Sequence, residues 1–330
     1  PLPLHSSLCS ERSAPLLSRA GICRKSEGWD YIDKQGGCGI IGDMEENEMK
    51  KCEKLLLNFI KTGQINKISD LITYDFHKIR ENKLKKFDNG KTYEDGDCTK
   101  LAYAIYSIIW LPRMAELGIS QFSESNFGNY LNSFSGDTIN TLYTTIGSPK
   151  YCTRIKKILN LTSAEKVIVN EFEQKYQTIG NFYFLPKNTI KRESINMYRG
   201  KKWNDFFDIF LKVLECTFSN KELVDEQFRN LFEKNSFFFD KIHNINDFMN
   251  LFFLADTQEN YNYMTDFVLK GSGCHYSHSM LCESNVDEYK SFVLDYMSKA
   301  NVLILKRSKV MVRELLQNLN NTDFPREYLT

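Results

Sequence analysis

Apolar residues, many of them aromatic, recur every three or four positions along much of the chain. Segment 202–218 shows the pattern most clearly, with Phe207, Phe210, Leu214 and Phe218 on one side of a helix. The same periodicity predicts helices at 45–62, 65–72, 98–111, 221–234, 245–256, 286–299 and 301–319, and a short helix near 137–143. We expect Pro112 to end the third of these.

Two local signals refine this pattern. Thr162 and Glu165 form a capping-box pair at the start of a helix that places Ile168, Phe172 and Tyr176 on one face. The aromatic run 181–185, bounded by Gly180 and Pro186, is typical of a strand. The predicted fold class is therefore mainly α (α+β), a single helical domain with a small β element around residues 181–185.

Residues 1–43 differ in composition from the remainder. All 24 Phe, 28 Asn and 9 Met lie at Met44 or later. We interpret 1–43 as a non-domain leader, either disordered or an artefact of the gene model, and 44–330 as a single globular domain. A targeting segment is the alternative, but it needs an apolar stretch of about 7–15 residues after a basic start, which is missing here.

Charge, hydropathy and cysteine spacing argue against a strongly basic or acidic protein, a membrane-spanning protein and a disulfide-stabilised protein. Lys plus Arg total 43 and Asp plus Glu total 42, so no overall field attracts the chain to nucleic acid or to a membrane surface. Nucleic acid stays open as a partner through a local basic groove. No apolar run approaches the ~18 residues of a spanning helix. The cysteines after Met44 form no C-x-x-C pair, which favours reduced thiols in a cytoplasmic protein over a disulfide framework. The abundance of aromatic residues predicts a protein partner that binds through exposed rings.

One cluster has the residue types of a metal site. Cys274, His278 and Cys282 are spaced i, i+4 and i+8, and on a helix they would share a face suited to zinc. However, Gly271 and Gly273 precede the cluster, and a second pair of ligands is missing from the sequence. A polar loop is the favoured interpretation, and the sequence indicates no particular cofactor.

A second constellation has the residue types of an anion site. Asn196 and Arg199 precede Asp205 and Asp208, which share a helix face. In a functional interpretation Asn196 and Arg199 hold an anionic group, and the carboxylates act as general bases or metal ligands. In the structural interpretation, which we favour, Arg199 pairs with a carboxylate and positions the helix.

An ordered set of short motifs resembles a family of uncharacterised bacterial proteins. The motifs are Tyr74-Asp75-Phe76, Asp95-Gly96-Asp97, Trp110-Leu111-Pro112, Thr178-Ile179-Gly180, Ile195-Asn196-x-x-Arg199-Gly200, Asp205-x-x-Asp208 and Phe252-Phe253-Leu254-x-Asp256. The resemblance implies a bacterial, cytosolic, single-domain protein. It implies no reaction, because the family has no assigned function.

Two functional hypotheses follow. The first is a non-catalytic or regulatory module, accessory to a mobile-element or phage-defence locus. The alternative is an enzyme acting on a phosphorylated or nucleic-acid substrate. In that enzyme Asn196 and Arg199 bind the anion, and Asp97, Asp205, Asp208 and Asp256 serve as acid–base groups or metal ligands.

Overall fold

The computed structural model describes residues 38–78, 96–118, 134–140, 160–188, 193–195, 198, 207–219, 226–254 and 286–329. Within these ranges the structure contains eight α-helices and a small antiparallel sheet, which confirms the mainly helical fold class. The helices are α1 (Cys38–Ile60), α2 (Lys100–Glu116), α3 (Ser163–Lys175), α4 (Phe207–Phe218), α5 (Glu226–Lys234), α6 (Ser236–Phe239), α7 (Ile245–Leu251) and α8 (Val286–Asn320). Short 3-10 helices lie at Ile68–Ile72, Gly96–Cys98, Ile179–Asn181 and Arg326–Tyr328.

The last helix is longer than its sequence pattern predicts. Segments 286–299 and 301–319 form one continuous helix, α8, of 35 residues. Met297, Ala300 and Ile304 keep the buried stripe unbroken across the predicted gap, and neither Gly nor Pro occurs between Val286 and Asn320. Helix α8 packs against α2, α3 and the 3-10 helices Ile68–Ile72 and Ile179–Asn181, so these four elements share α8 as a packing partner.

The sheet contains a strand that the periodicity did not predict. Strand β1 (Phe134–Thr138) pairs antiparallel with β2 (Phe182–Asn188), with Gly136 opposite Phe184. The helix predicted near 137–143 is therefore wrong over its described residues. Strand β1 is short and polar, so its residues have little β-propensity. It is a strand because its backbone forms hydrogen bonds with β2. The two-residue strand β3 (Glu193–Ser194) extends the other edge of β2.

Helix α2 passes through Pro112 instead of ending before it, contrary to the prediction. Proline has no N–H, so the Ile108 carbonyl one turn earlier loses its usual helical donor. The Asn318 amide of α8 replaces that donor, with Nδ2 2.8 Å from the Ile108 oxygen. A hydrogen bond between two helices that are far apart in the sequence thus compensates for the donor that Pro112 lacks.

Helix α7 ends at Leu251, five residues before the predicted end. Phe253 adopts a left-handed backbone with φ of 55°. The Leu254 N–H donates to the Met249 carbonyl at 2.8 Å, and the Phe253 N–H donates to the Asn250 carbonyl at 3.2 Å. These bonds are those of a Schellman motif, in which the left-handed position usually holds glycine.

Aromatic side chains fill the centre of the core. Trp110 of α2 contacts Phe184 of β2 edge-on, with ring centroids 5.1 Å apart, and Phe184 contacts Phe252 at 5.3 Å. All three are fully buried. Among the described residues the large hydrophobic side chains that are exposed are Val167 and Val302. An aromatic docking surface therefore remains a prediction for other parts of the chain.

Two further local predictions are tested by the structure. The capping box is confirmed, because the Thr162 N–H donates to a Glu165 carboxylate oxygen at 2.7 Å and the Glu165 N–H donates to the Thr162 hydroxyl at 3.3 Å. Helix α1 begins at Cys38, six residues before Met44; the boundary at residue 43 stays a prediction. No helix within the described ranges has the length and apolar character that a membrane span requires.

Candidate functional site

Several buried polar residues meet where α8 crosses the 3-10 helix Ile179–Asn181 and the sheet. They are Asp97, Gln177, Asn181, Arg307 and Ser308, and none is more than 4% exposed. We refer to these five residues as the buried polar centre. It brings together the motifs Asp95-Gly96-Asp97 and Thr178-Ile179-Gly180, which lie far apart in the sequence.

Asn181 joins three segments of backbone. Its Oδ1 accepts from the Asn140 N–H at 2.9 Å, and its Nδ2 donates to the carbonyls of Asn140 at 2.8 Å and Tyr176 at 2.9 Å. Both amide protons and the amide oxygen are therefore used inside the protein. This side chain holds Asn140, two residues after β1, against Tyr176 at the end of α3.

Arg307 is 1% exposed and lies against main-chain carbonyls. Its Nε donates to the Phe252 oxygen at 2.8 Å, and its Nη1 donates to the oxygens of Gly180 at 2.8 Å and Phe182 at 2.6 Å. Burial lowers the pKa of Arg307 to about 9, and the neighbouring hydroxyls of Tyr106 and Tyr183 partly oppose this. The guanidinium consequently stays charged at pH 7 and fastens α8 to the sheet and to the turn after α7.

Gly180 allows α8 to approach closely. A Cβ at this position would lie 2.1 Å from the Ile304 carbonyl oxygen and 2.3 Å from the Ser308 hydroxyl oxygen. The Gly180 N–H donates to that hydroxyl at 3.0 Å. Glycine is therefore required by the distance between the two backbones, since any side chain would displace α8.

Gln177 and Asp97 link the 3-10 helix Gly96–Cys98 to the centre. The Gly96 N–H donates to Gln177 Oε1 at 3.0 Å. The Asp97 carbonyl accepts from the Tyr106 hydroxyl at 3.1 Å. Gly136 of β1 lies close to this turn, because a Cβ there would be 2.4 Å from the Asp97 oxygen. Gly96 and Asp97 thus lie in a packed interior rather than at an open surface.

Most of the predicted site residues lie outside the described part of the structure. Asn196, Arg199, Asp205 and Asp256 belong to this group, as does the predicted metal cluster of Cys274, His278 and Cys282. Asp208 is placed only as a backbone position in α4. Asp97 is the predicted residue whose side chain is described, so convergence of the set remains a prediction. In the described residues, no group of three or more His, Cys, Asp or Glu side chains is arranged to hold a metal ion.

A cleft lies on the outside of the fold, between α1 and the turn that follows α8. Its walls come from Met49–Leu57 of α1, from Leu111 and Pro112 of α2, and from residues 321–325, and its volume is about 810 Å³. Glu53 lies within the cleft. Partial burial and the nearby Asp323 raise the pKa of Glu53, while the Thr322 hydroxyl and Lys50 act in the opposite direction. A carboxyl group with a raised pKa in a cleft is a common feature of ligand sites.

Sequence reasoning missed Arg307, Gln177, Asn181 and Glu53. Arg307 belongs to a Lys-Arg pair on an otherwise regular helix, and its position in the apolar stripe of α8, three residues after Ile304, was the available signal. Glu53 lies midway between Met49 and Leu57 on an apolar strip of α1, which is a similar signal. Gln177 and Asn181 carry no local signal, because the turns that they join to the centre, at Gly96 and Asn140, are distant in sequence.

Fold and site together define a mainly helical protein in which Gly96, Asp97 and Gly180, from two of the motifs, lie at a buried polar centre. Residues 85–311 match the model of a family of unknown function, DUF6994. The match covers more than half of the chain, and the chain belongs to this family. The resemblance to a family without an assigned function is thereby confirmed. The sequence matches no curated protein and no solved structure.

Proposed function

We propose that this chain is a non-catalytic or regulatory module, in which the residues of the buried polar centre maintain a rigid core. The observation that supports this proposal is the use of the buried polar groups. Asn181 bonds to the backbone of Asn140, while Arg307 and Ser308 of α8 bond to the carbonyl and the N–H of Gly180, and all three side chains are closed to solvent.

A catalytic centre needs a different arrangement. Its polar groups face a concave space in which a reacting atom can lie about 3 Å from the nucleophile or base. Here the donors and acceptors of Asn181, and two nitrogens of the Arg307 guanidinium, point at amides and carbonyls of the chain itself. Their hydrogen bonds stabilise a single arrangement of α8, the sheet and the turn after α7.

The enzyme hypothesis keeps one specific observation in its favour, which is Asp97. A carboxylate that is 4% exposed, within a motif, is a plausible acid–base group or metal ligand. In that case Asn196, Arg199, Asp205, Asp208 and Asp256 would have to approach it.

A thermal-shift screen with divalent metal ions and nucleotides distinguishes the two roles. The regulatory module predicts no saturable rise in Tm with any of these ligands. A saturable rise in wild type that disappears in Asp97→Asn would contradict the proposal and support the enzyme. Asp137→Asn is the matched control, because Asp137 is a half-buried carboxylate on β1 whose Oδ1 accepts from the Thr138 N–H at 2.7 Å.

The proposed setting is the bacterial cytoplasm, where thiols stay reduced. Cys52 and Cys216 support it, because both are buried thiols in the core. The link to a mobile-element or phage-defence locus remains part of the proposal. Loss of phage restriction on deleting the gene from such a locus is the outcome it predicts.

A further inference from the structure

The cleft between α1 and the end of α8 has a carboxyl group on each of two walls. Glu53 lies on the α1 wall, and Asp323 lies on the wall formed by residues 321–325, which we call the C-terminal turn. Phe324 anchors this turn in the core, because its side chain is 4% exposed. Glu53 is half-buried and Asp323 is exposed. Two acidic groups that are distant in the sequence thus share one cleft.

The Thr322 hydroxyl fastens the C-terminal turn to the end of α8. It donates to the Leu319 carbonyl at 3.0 Å and accepts from the Phe324 N–H at 3.3 Å. A hydroxyl has one proton and two lone pairs, so the proton is used here and one lone pair stays available. Thr322 is also a hydrogen-bonding neighbour of the Glu53 carboxyl. The protonation state of Glu53 therefore decides in which direction their hydrogen bond runs.

Neutral and ionised Glu53 affect this turn differently. A neutral carboxyl can donate its proton to the remaining lone pair of Thr322, and the hydroxyl then keeps both of its backbone bonds. An ionised carboxylate can only accept, so it competes with the Leu319 carbonyl for the single hydroxyl proton. The carboxylate is also repelled by Asp323 across the cleft. Ionisation of Glu53 consequently weakens the contact between α1 and the C-terminal turn in two ways.

The other charged groups around Glu53 lie on its own helix. Lys50 and Lys54 line the cleft, and Lys50 favours the ionised form of Glu53. Within the described part of the chain, α2 lines the cleft with apolar side chains, and Asp323 is the charged group that the C-terminal turn contributes. Burial is the largest influence, so the pKa of Glu53 is raised despite Lys50 and Thr322. The folded protein therefore favours neutral Glu53.

We propose that Glu53 and the C-terminal turn form a pH-sensitive latch, which is closed while Glu53 is neutral and opens when Glu53 is ionised. Opening exposes the ring of Phe324 beside Met49 and Leu57, which line the same cleft. Because folding raises the pKa of Glu53, the latch is fully closed below the ordinary pKa of a glutamate and loosens as pH rises through the raised value. The inference goes beyond the proposed role and does not depend on it, since the cleft and the buried polar centre share no residue.

Hydrogen exchange of the full chain at pH 4 and pH 8 tests the latch, with each rate divided by the intrinsic exchange rate at that pH. The N–H groups of Thr322 and Phe324 report on it, because both are hydrogen-bonded in the closed turn. We expect their protection factors to fall about tenfold from pH 4 to pH 8, which corresponds to a Glu53 carboxyl about tenfold more acidic in the open form. Helix α3 lies outside the cleft, and its protection should change little.

Three variants locate the sensing group. Glu53→Gln is neutral at both pH values and can still donate to Thr322, so protection at pH 8 should equal that at pH 4. Asp323→Asn removes the repulsion but keeps the competition for the hydroxyl proton, so the fall should be smaller than in wild type. Glu116→Gln is the matched control, because Glu116 is an exposed carboxylate of α2 that does not line the cleft. It should keep the wild-type fall.

Each contrary outcome overturns the proposal. Protection that is independent of pH in wild type would remove the latch, and a fall that persists in Glu53→Gln would place the sensing group elsewhere. An equal loss of protection in α3 would show that the whole domain responds to pH. A rise in protection toward pH 8 would show that ionised Glu53 closes the cleft through Lys50. Because metal ions and nucleotides are not used, failure here leaves the proposed non-catalytic role intact.

Discussion

The hydrogen bond from Asn318 to the Ile108 carbonyl should matter only because residue 112 is proline. In wild type, Asn318 Nδ2 lies 2.8 Å from the Ile108 carbonyl oxygen, and Pro112 has no N–H to donate to that oxygen. We expect Asn318→Ala to destabilise the protein in this background. In a Pro112→Ala background the residue 112 N–H returns, and the same substitution should have little effect.

The magnitude follows from the burial of Ile108, which is 0% exposed. Removing the amide forfeits a net hydrogen bond and leaves a buried acceptor without a donor, at a cost of about 1–2 kcal/mol. In the Pro112→Ala background the helical bond takes over, and the cost falls to about 0.5 kcal/mol or less. The expected coupling between the two positions is thus about 1 kcal/mol.

Urea denaturation of wild type, the two single variants and the double variant measures the coupling. The effects of each substitution on its other neighbours cancel in this cycle. Gln317→Ala is the control for helix propensity, since Gln317 is the exposed neighbour on α8. Additive effects of the two substitutions would refute the reasoning. So would a greater loss from Asn318→Ala in the Pro112→Ala background than in the wild-type background.

Three further predictions concern other parts of the molecule. Gly180→Ala should lower stability by about 3 kcal/mol or more in urea titrations, because its Cβ would collide with the Ile304 backbone. The control Gly63→Ala, at φ of 75° with open space around it, should lose only about 1 kcal/mol. Glu53→Gln should raise Tm at pH 8 and leave it unchanged at pH 4. Because the pKa of Glu53 is raised by folding, the folded state binds more protons than the unfolded state. The wild-type protein therefore loses stability as pH rises from the unfolded-state pKa of Glu53 through its folded-state pKa. Thr162→Ala should cost about 1 kcal/mol of unfolding free energy through loss of the cap, and an unchanged urea midpoint would contradict the observed capping box.

Sequence patterns succeeded wherever the determining interactions are local. The capping box at Thr162 needs only residues three positions apart, and the apolar stripe of α4 needs only helical periodicity. Strand β2 was predictable because four successive buried residues, Phe182 to Leu185, form a continuous apolar run. The family resemblance was also visible, since it depends on the order of short motifs.

The failures share a physical cause. Strand β1 is polar, and only its pairing with β2 makes it a strand. Helix α2 continues past Pro112 because Asn318, 210 positions away from Ile108, supplies the missing donor. Of the predicted site residues, Asp97 has a described side chain, and its environment depends on Gln177, Gly136 and Tyr106, which no local pattern connects.

The helical class, the apolar faces and the family are predictable from local patterns, because periodicity and motif order are properties of neighbouring residues. The roles of the polar residues depend on contacts between segments that are far apart in the sequence. Arg307 is surrounded by carbonyls of Gly180, Phe182 and Phe252, and Glu53 lies in a cleft closed by residues from the other end of the chain. A polar side chain has no fixed role until burial removes its water and folding supplies its partners.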